Sequence, residues 1–264
     1  MNDVTQVEDR RVVEAANDRY GEQFHDTYDR IFPESSIQDQ HVQWLVDQVG
    51  PGADVLELGV GTGRVALPLA RRLREQRESA RYVGLDVSEE MLAALRAKDP
   101  NGLVDAGLAD IRDVDLAERF DAVLCVCATI SMVGGAEAQR AVLANAARCL
   151  RPGGTLVVET HHPRVIRRML GERGSYYVQY GDVTQGLVTF FEIDGHDWSL
   201  DHVWIDPGSI RRLNERSRLT DPEELDDLVG PLGLTLAGRA AGLDGSPLDP
   251  QSSPMYVNVY RRAA

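Results

Sequence analysis

Three stretches of this chain combine residue types and spacings that carry chemistry. The first is VLELGVGTGR, residues 55–64, in which an apolar run opens directly onto Gly59, Gly61 and Gly63. Glycines there let the backbone turn sharply and approach a ligand with no Cβ in the way. A helix starting straight after such a turn adds free N–H groups and a partial positive charge, which suit a phosphate or a carboxylate. The spacing is G-x-G-x-G, which departs from the G-x-G-x-x-G dinucleotide fingerprint. Glu57 precedes the turn. A carboxylate in that place repels a pyrophosphate and suits a cation, so the pattern points to a cofactor carrying an amine or a sulfonium.

The second stretch is YVGLDVSEEML, residues 82–92, with Asp86 at the carboxyl end of an apolar run. Open α/β sheets bind nucleotides along that edge, where an acid can accept both ribose hydroxyls. The competing role for Asp86 is a helix N-cap, since Ser88 and Glu89 follow. Met91, one helical turn onward, is placed either to pack against an adenine face or simply in the core. The third stretch, GLADIRDVDL, puts Asp110 where it can accept from an exocyclic amine, with Asp113 and Asp115 as rivals. Arg64 is placed either to bind a cofactor carboxylate or in an exposed first turn. His161 and His162 follow a later strand at the edge where a substrate should lie; they are candidates for a base or a substrate contact, against capping or packing ahead of Pro163. His25 is a weaker candidate, and His196 and His202 receive no role.

The elements that must position these groups follow from periodicity. Residues 12–32 read as a helix with Tyr20, Phe24 and Tyr28 in one stripe. Pro33 ends it, and Ser35 or Ser36 can cap a second helix over 37–49. Strands are expected at 54–58, 81–85, 103–107, 122–127 and 155–159, alternating with helices at 62–74, 88–97 and 136–150. That order implies a parallel sheet covered on both faces, because parallel neighbours need crossover connections. After Thr160 the rhythm changes to β segments at 176–180, 186–192 and 198–205, a small antiparallel meander. Asp221 and Pro222 then open a helix as N-cap and first residue, and strands at 234–239 and 255–260 close the chain. The expected organisation is a helical cap over residues 1–50, a cofactor-binding core over 51–160, a β insert over 161–215, and a closing helix and hairpin over 216–264.

The bulk composition narrows the function classes. The chain has 264 residues, enough for one α/β domain with a modest lid or insert. A formal charge of −14 repels phosphate backbones, and the arginine clusters (Arg71, Arg72 and Arg74 among them) read as solvated helix faces, so nucleic acid is not an expected partner. Cys125, Cys127 and Cys149 lie in apolar surroundings and read as reduced thiols; Cys125 and Cys127 are expected on one strand face, with no ligand pair to complete a zinc site. No apolar stretch is long enough to span a bilayer and none resembles a signal core, so the reading is a cytoplasmic chain with no membrane partner.

Taken in order, ELGVGTG, GLDVSEEML, LADIRD, FDAVLCV and RCLRPGGTLVVE resemble the motifs of the class I S-adenosylmethionine-dependent methyltransferases. The resemblance implies a doubly wound, mostly parallel, Rossmann-like α/β sheet of seven strands with the last antiparallel. It implies S-adenosylmethionine as cofactor and S-adenosylhomocysteine as product. Gly59, Gly61 and Gly63 would cradle the methionine part, Glu57 would face its ammonium, Asp86 would hold the ribose and Asp110 the adenine amine. Val87 and Ile111 beside those acids, with Arg64, Met91 and Cys127, would complete the cofactor site. The flanks YGEQFHDTYDRIFP and RLTDPEELDDLVGPLGL resemble small-molecule methyltransferases, among them N-methyltransferases of amino sugars. There an N-terminal helix and a β insert roof the active site, which implies cofactor or substrate contacts for Tyr20 and Tyr28, with Tyr28 also a catalytic candidate beside His161 and His162.

CVCATISM stands where the nucleic-acid amino-methyltransferases carry Asn or Asp, Pro-Pro and an aromatic. The expected reaction is methyl transfer to a small molecule, with nitrogen favoured over oxygen or carbon. A non-catalytic S-adenosylmethionine-binding protein and an NAD-type oxidoreductase are the rival classes. Acceptor identity, and monomer against homo-oligomer, stay open.

Overall fold

A computed structural model describes residues 20–181 and 184–264. Residues 12–19 of the expected first helix lie outside the described residues; its remainder forms α1, Tyr20–Ile31, followed by α2, Asp39–Val49. The core then alternates β1 Val55–Leu58, α3 Ala66–Gln76, β2 Tyr82–Asp86, α4 Glu89–Lys98, β3 Asp105–Leu108 and β4 Phe120–Cys125. A short α5, Thr129–Met132, precedes α6, Ala136–Cys149, and β5, Leu150–His161. After α7, Pro163–Leu170, come β6 Arg173–Gln179, β7 Gly186–Asp194, β8 Asp197–Asp206 and β9 Ser209–Arg218. The chain closes with α8 Pro222–Val229, β10 Leu234–Ala240 and β11 Met255–Arg262.

The main sheet has seven strands in the order β10-β11-β5-β4-β1-β2-β3. β1 pairs in parallel with both β2 and β4, whereas β11 runs antiparallel to β5 and β10. The chain winds outward from β1 to β3 and then returns to β1's other side, so the crossover direction reverses between β1 and β4. Ligands of open α/β sheets bind outside the carboxyl ends of the strands at such a point.

Side chains of a strand alternate between faces, and here both faces are covered. On one face Val55, Leu124 and Val157 meet Leu45 of α2, Leu69 of α3 and Leu92 of α4. On the other, Leu56, Leu58, Val123 and Leu156 meet Val142 and Leu143 of α6 and Leu225 of α8. Glu57 falls on the Val55 face by this alternation, buried at 3% exposure.

The second sheet is a four-stranded antiparallel meander, β6-β7-β8-β9. Its inner face buries Leu187, Phe191, Trp198, Leu200, Trp204 and Leu213. α1 lies against that face: Arg211 pairs with Asp26 at 2.6 Å, the amide of Asn214 donates to Gln23 at 2.9 Å, and Arg30 pairs with Asp206 at 2.8 Å.

Several local expectations are corrected. β9 has almost no apolar alternation and forms because β8 pairs with it along its whole length. α7 is nucleated by Pro163 in its first turn behind His162. α3 starts at Ala66, later than expected, because Gly61 and Gly63 hold left-handed φ angles of 53° and 81°. Ser35 and Ser36 sit in a 3-10 turn, and Gln38 takes the N-cap place of α2, its backbone amide donating to His41 Nδ1 at 3.0 Å. Asp221 occupies the N-cap place of α8 without a side-chain cap bond. Cys125 and Cys127 do not share a strand face, since β4 ends at Cys125 and the chain turns left-handed at Cys127 and Ala128. All three cysteines are free thiols. No helix among the described residues is long and apolar enough to cross a membrane.

Candidate cofactor and acceptor site

A cleft opens at the carboxyl ends of β1, β2, β3 and β4, with α1 as its outer wall. Of the residues singled out from the sequence, Tyr20, Tyr28, Glu57, Gly59, Gly61, Arg64, Asp86, Val87, Met91, Asp110, Ile111 and Cys127 line it. The structure thus gathers residues from separate elements and turns around one hollow.

The glycine turn divides its labour. A Cβ on Gly59 would lie 2.4 Å from the Thr129 side chain, whereas one on Gly61 would meet open space. Gly61 therefore leaves room at the cleft, and its amide donates to Asp86 Oδ2 at 2.8 Å. Gly63 does not line the cleft. Its missing Cβ would press on Leu95 at 3.0 Å and Leu67 at 3.2 Å, so it serves the packing of α3 and α4.

Asp86 ends β2 and also accepts from the amide of Ser88 at 2.9 Å; Ser88, not Asp86, caps α4 through Met91's amide. Two backbone amides thus aim the Asp86 carboxylate into the cleft. Val87 beside it is half exposed, and Met91 is buried at its base. Asp110 rather than Asp113 or Asp115 reaches the cleft; the Arg112 guanidinium holds it at 2.7 Å and, with its backbone amide, keeps its carboxyl below the usual range.

Glu57 lies deepest. Burial pushes its carboxyl up to about 8, even though Tyr82 donates to Oε2 at 2.5 Å and pulls the other way. Burial likewise raises Asp86 and Glu159. Arg64 faces this group of acids, donating to Cys127 Sγ at 2.9 Å, while its buried Nε has no hydrogen-bond partner. Two buried acids, Glu57 and Glu159, face the one arginine, and the part-buried Asp86 lies beside them, so the basin is short of positive charge.

These features fit S-adenosylmethionine part by part. The unpartnered Arg64 Nε suits a carboxylate, Glu57 suits an ammonium, Asp86 suits a ribose diol, and Val87, Met91 and Ile111 offer apolar surface to a base. Tyr20 and Tyr28 close the hollow from α1, their phenols raised well above the ordinary value by burial and therefore protonated.

Other residues that hold the cleft escaped the sequence reading. Thr129, Met132 and Val133, in and after α5, complete one wall. They follow the consecutive left-handed residues Cys127 (φ 56°) and Ala128 (φ 62°), an uncommon conformation for side-chain-bearing residues that clusters at functional sites. Glu159 pins that turn, accepting from the Cys127 amide at 2.8 Å. Gly21 lets α1 sit directly on Ser88, where a Cβ would lie 1.9 Å from the hydroxyl oxygen. Thr62 donates to Asp29 Oδ1 at 2.6 Å, and Lys98 binds the other oxygen at 2.7 Å, so α1 is latched to the glycine turn. The close sequence neighbourhood of Thr62 to the turn was the only available signal.

The histidines are placed apart from the cleft lining. His162 is buried at 1% exposure, edge-on to Tyr256, at the start of α7 and outside the cleft lining, a placement that matches the packing alternative and not a base facing the cleft. His161 ends β5 and points to the insert, edge-on to Trp198 at 5.0 Å, where burial lowers its pKa. His25 turns back on its own helix, Nδ1 lying 3.1 Å from the Gly21 carbonyl.

Residues 55–154 match a family model described as a methyltransferase domain. The CcbJ methyltransferase from Streptomyces caelestis is a similar solved structure, 32% identical, with a TM-score of 0.80 over 93% of this chain and 98% of that one. A dTDP-4-amino-2,3,4,6-tetradeoxy-D-glucose N,N-dimethyltransferase of Saccharopolyspora spinosa is 33% identical over 45% of this chain, a match spanning only 44% of that enzyme. A cypemycin N-terminal methyltransferase from a Streptomyces species is 27% identical over 80% of this chain and 84% of its own length.

Proposed function

Since the chain belongs to the S-adenosylmethionine-dependent methyltransferases, we propose that it methylates an amine nitrogen of a small, sugar-like or natural-product acceptor. The observation that carries this reading is the acid-rich basin beside the glycine turn, which matches a positively charged nucleoside and opposes a dinucleotide. Two of the relatives named above are, by their names, an aminodeoxy-sugar N,N-dimethyltransferase and an N-terminal methyltransferase, which supports nitrogen as the target.

When bound, the cofactor supplies a methyl group already activated by its sulfonium. What this chain adds is placement. Asp86, held by the amides of Gly61 and Ser88, would fix the ribose end, and Arg64 with Glu57 would fix the amino-acid end. These residues would hold both ends of the cofactor and leave the space under α1 and the insert for the acceptor. Alignment of two reactants is worth about 7–11 kcal/mol of barrier when the geometry is near that of attack. Tyr20 and Tyr28 would exclude water from that space and, being protonated, can donate but not abstract. An amine nucleophile needs only to be neutral, so no strong base is required at the reacting atom.

The test has two stages. Isothermal titration with S-adenosylmethionine should show binding, and no heat at millimolar cofactor would sink the reading. Release of S-adenosylhomocysteine should then follow addition of dTDP-linked aminodeoxy sugars, free amino sugars or a peptide α-amine. Turnover confined to hydroxyl acceptors would reassign the methylated atom.

A further inference from the structure

The inner face of the insert sheet is apolar at both ends and polar in the middle. At one end Trp204, Leu213 and Leu187 pack on Phe24 and Met91; at the other, Trp198, Leu200 and Phe191 pack on Ile166. Between them, from adjacent strands, stand Thr189, His202, Glu215 and Ser217. The register sets Thr189 opposite His202 and Leu200 opposite Glu215, so these side chains share the inward face. His161 reaches the same band from the end of β5.

We propose that this band is the acceptor subsite, with Glu215 receiving the acceptor's basic amine; the inference rests on the methyl-transfer reading above. Glu215 and His202 are largely buried, with side-chain exposures of 16% and 7%. Ser217 donates to Glu215 Oε1 at 2.8 Å, and Thr189 fixes the His202 ring through Nδ1 at 2.8 Å. Yet His202 Nε2 stops 3.8 Å short of Glu215 Oε2, beyond hydrogen-bond reach, and is left buried without a partner. His161 Nδ1 is buried and unpartnered as well. Buried polar atoms are almost always satisfied, so unpartnered ones gathered in one band call for an explanation, and a bound ligand supplies one.

Charge decides the ligand's class. Burial pushes the Glu215 carboxyl up, but His202 and Ser217 more than offset it and hold it below the usual range, so it is anionic. His161 is neutral because burial lowers it. Arg216, next in sequence, alternates to the other face, and Arg211, on the same face as Glu215 but further along β9, is paired with Asp26. Ser217 engages only Oε1, and the His202 ring comes no nearer than 3.8 Å to Oε2, so Oε2 can take a cationic donor, and an amine enters as one. The band also adjoins the cofactor cleft, since Tyr20 lines that cleft and its phenol feels both Glu215 and Arg64. α5, which carries Met132 into the cleft wall, rests on β9. The apolar flanks suit the carbon skeleton of a deoxygenated ring or a hydrophobic amine.

Wild-type protein and Glu215→Gln, each saturated with S-adenosylmethionine, would be assayed for S-adenosylhomocysteine release. The probes are dTDP-linked aminodeoxy sugars, free amino sugars and a peptide α-amine, each paired with its hydroxyl counterpart. Loss of a charge-assisted contact should raise KM for the amine acceptor by roughly tenfold or more. The Kd for S-adenosylmethionine should be unaffected, and Glu215→Asp should recover part of the loss. A purely structural Glu215 would instead lower melting temperature and cofactor affinity together, which overturns the subsite. Amines methylated with an unchanged KM in Glu215→Gln overturn the subsite alone. No amine methylated by the wild type overturns both readings.

Discussion

The Tyr82 hydroxyl donates to Glu57 Oε2 at 2.5 Å between two neighbouring parallel strands, at the deepest point of the cleft. Burial nevertheless carries the Glu57 carboxyl from 4.5 up to about 8. In the unfolded chain it ionises near its ordinary value, so the unliganded protein loses stability as pH rises through that window. A cation beside Glu57 favours the ionised form and reverses the preference. Affinity for S-adenosylmethionine should therefore fall as pH drops below about 8, with a limiting slope of about tenfold per unit. Titration calorimetry in two buffers of different ionisation enthalpy should show a proton released on binding. Glu57→Gln should abolish this slope, and Tyr82→Phe should move its midpoint upward. A flat profile with no buffer dependence would remove Glu57 from the site.

Asp86 is aimed by the amides of Gly61 and Ser88. Replacing it with alanine should weaken cofactor binding by at least about tenfold, equivalent to about 1.4 kcal/mol. Circular dichroism should show the fold intact. Unchanged affinity by calorimetry would contradict the ribose assignment.

The Asp29 carboxylate joins Thr62 and Lys98, so the glycine turn and α1 move as one. Asp29 is part exposed, which places the Thr62 bond at the lower end of charge-assisted values, about 1.5 kcal/mol. Thr62→Val should speed amide exchange across α1 and weaken cofactor binding several-fold, with little change in melting temperature. Exchange in α1 identical to wild type would mean that the latch does not hold the helix.

Gly61 and Gly63 share a left-handed backbone but different surroundings. Alanine at either should cost about 1–2 kcal/mol from conformation alone. Gly63→Ala should lower stability further, through Leu95 and Leu67, while sparing the affinity of the folded fraction. Gly61→Ala should reduce cofactor affinity beyond its effect on melting. Equal losses of affinity in the two variants would refute the division between cleft and packing glycine.

His162 packs on Tyr256 away from the cleft, whereas His161 faces the insert. His162→Phe should therefore change thermal stability while leaving methyl-transfer kinetics close to wild type. A large loss of kcat with unchanged stability would restore His162 as a catalytic group.

Most of the fold, and the residues of the glycine turn and strand ends that the cleft gathers, were legible in the sequence because they are local. Val55, Leu56 and Leu58 announce a buried strand, Gly59 and Gly61 announce a sharp turn, and Asp86 and Asp110 lie at or just beyond strand ends on the same edge. Parallel strands linked by helices must bring those edges together, so spacing along the chain carried over into space.

What only the tertiary structure decided depends on partners distant in sequence. β9 is polar enough to read as loop, and its strand identity comes from β8; that pairing turns Glu215 inward toward His202. Which of His161 and His162 points into the core, and whether Gly63 faces ligand or helix, depends on which way one residue rotates at the end of an element. Local periodicity sets an element's kind, but the facing surface that buries a side chain is supplied by the rest of the fold.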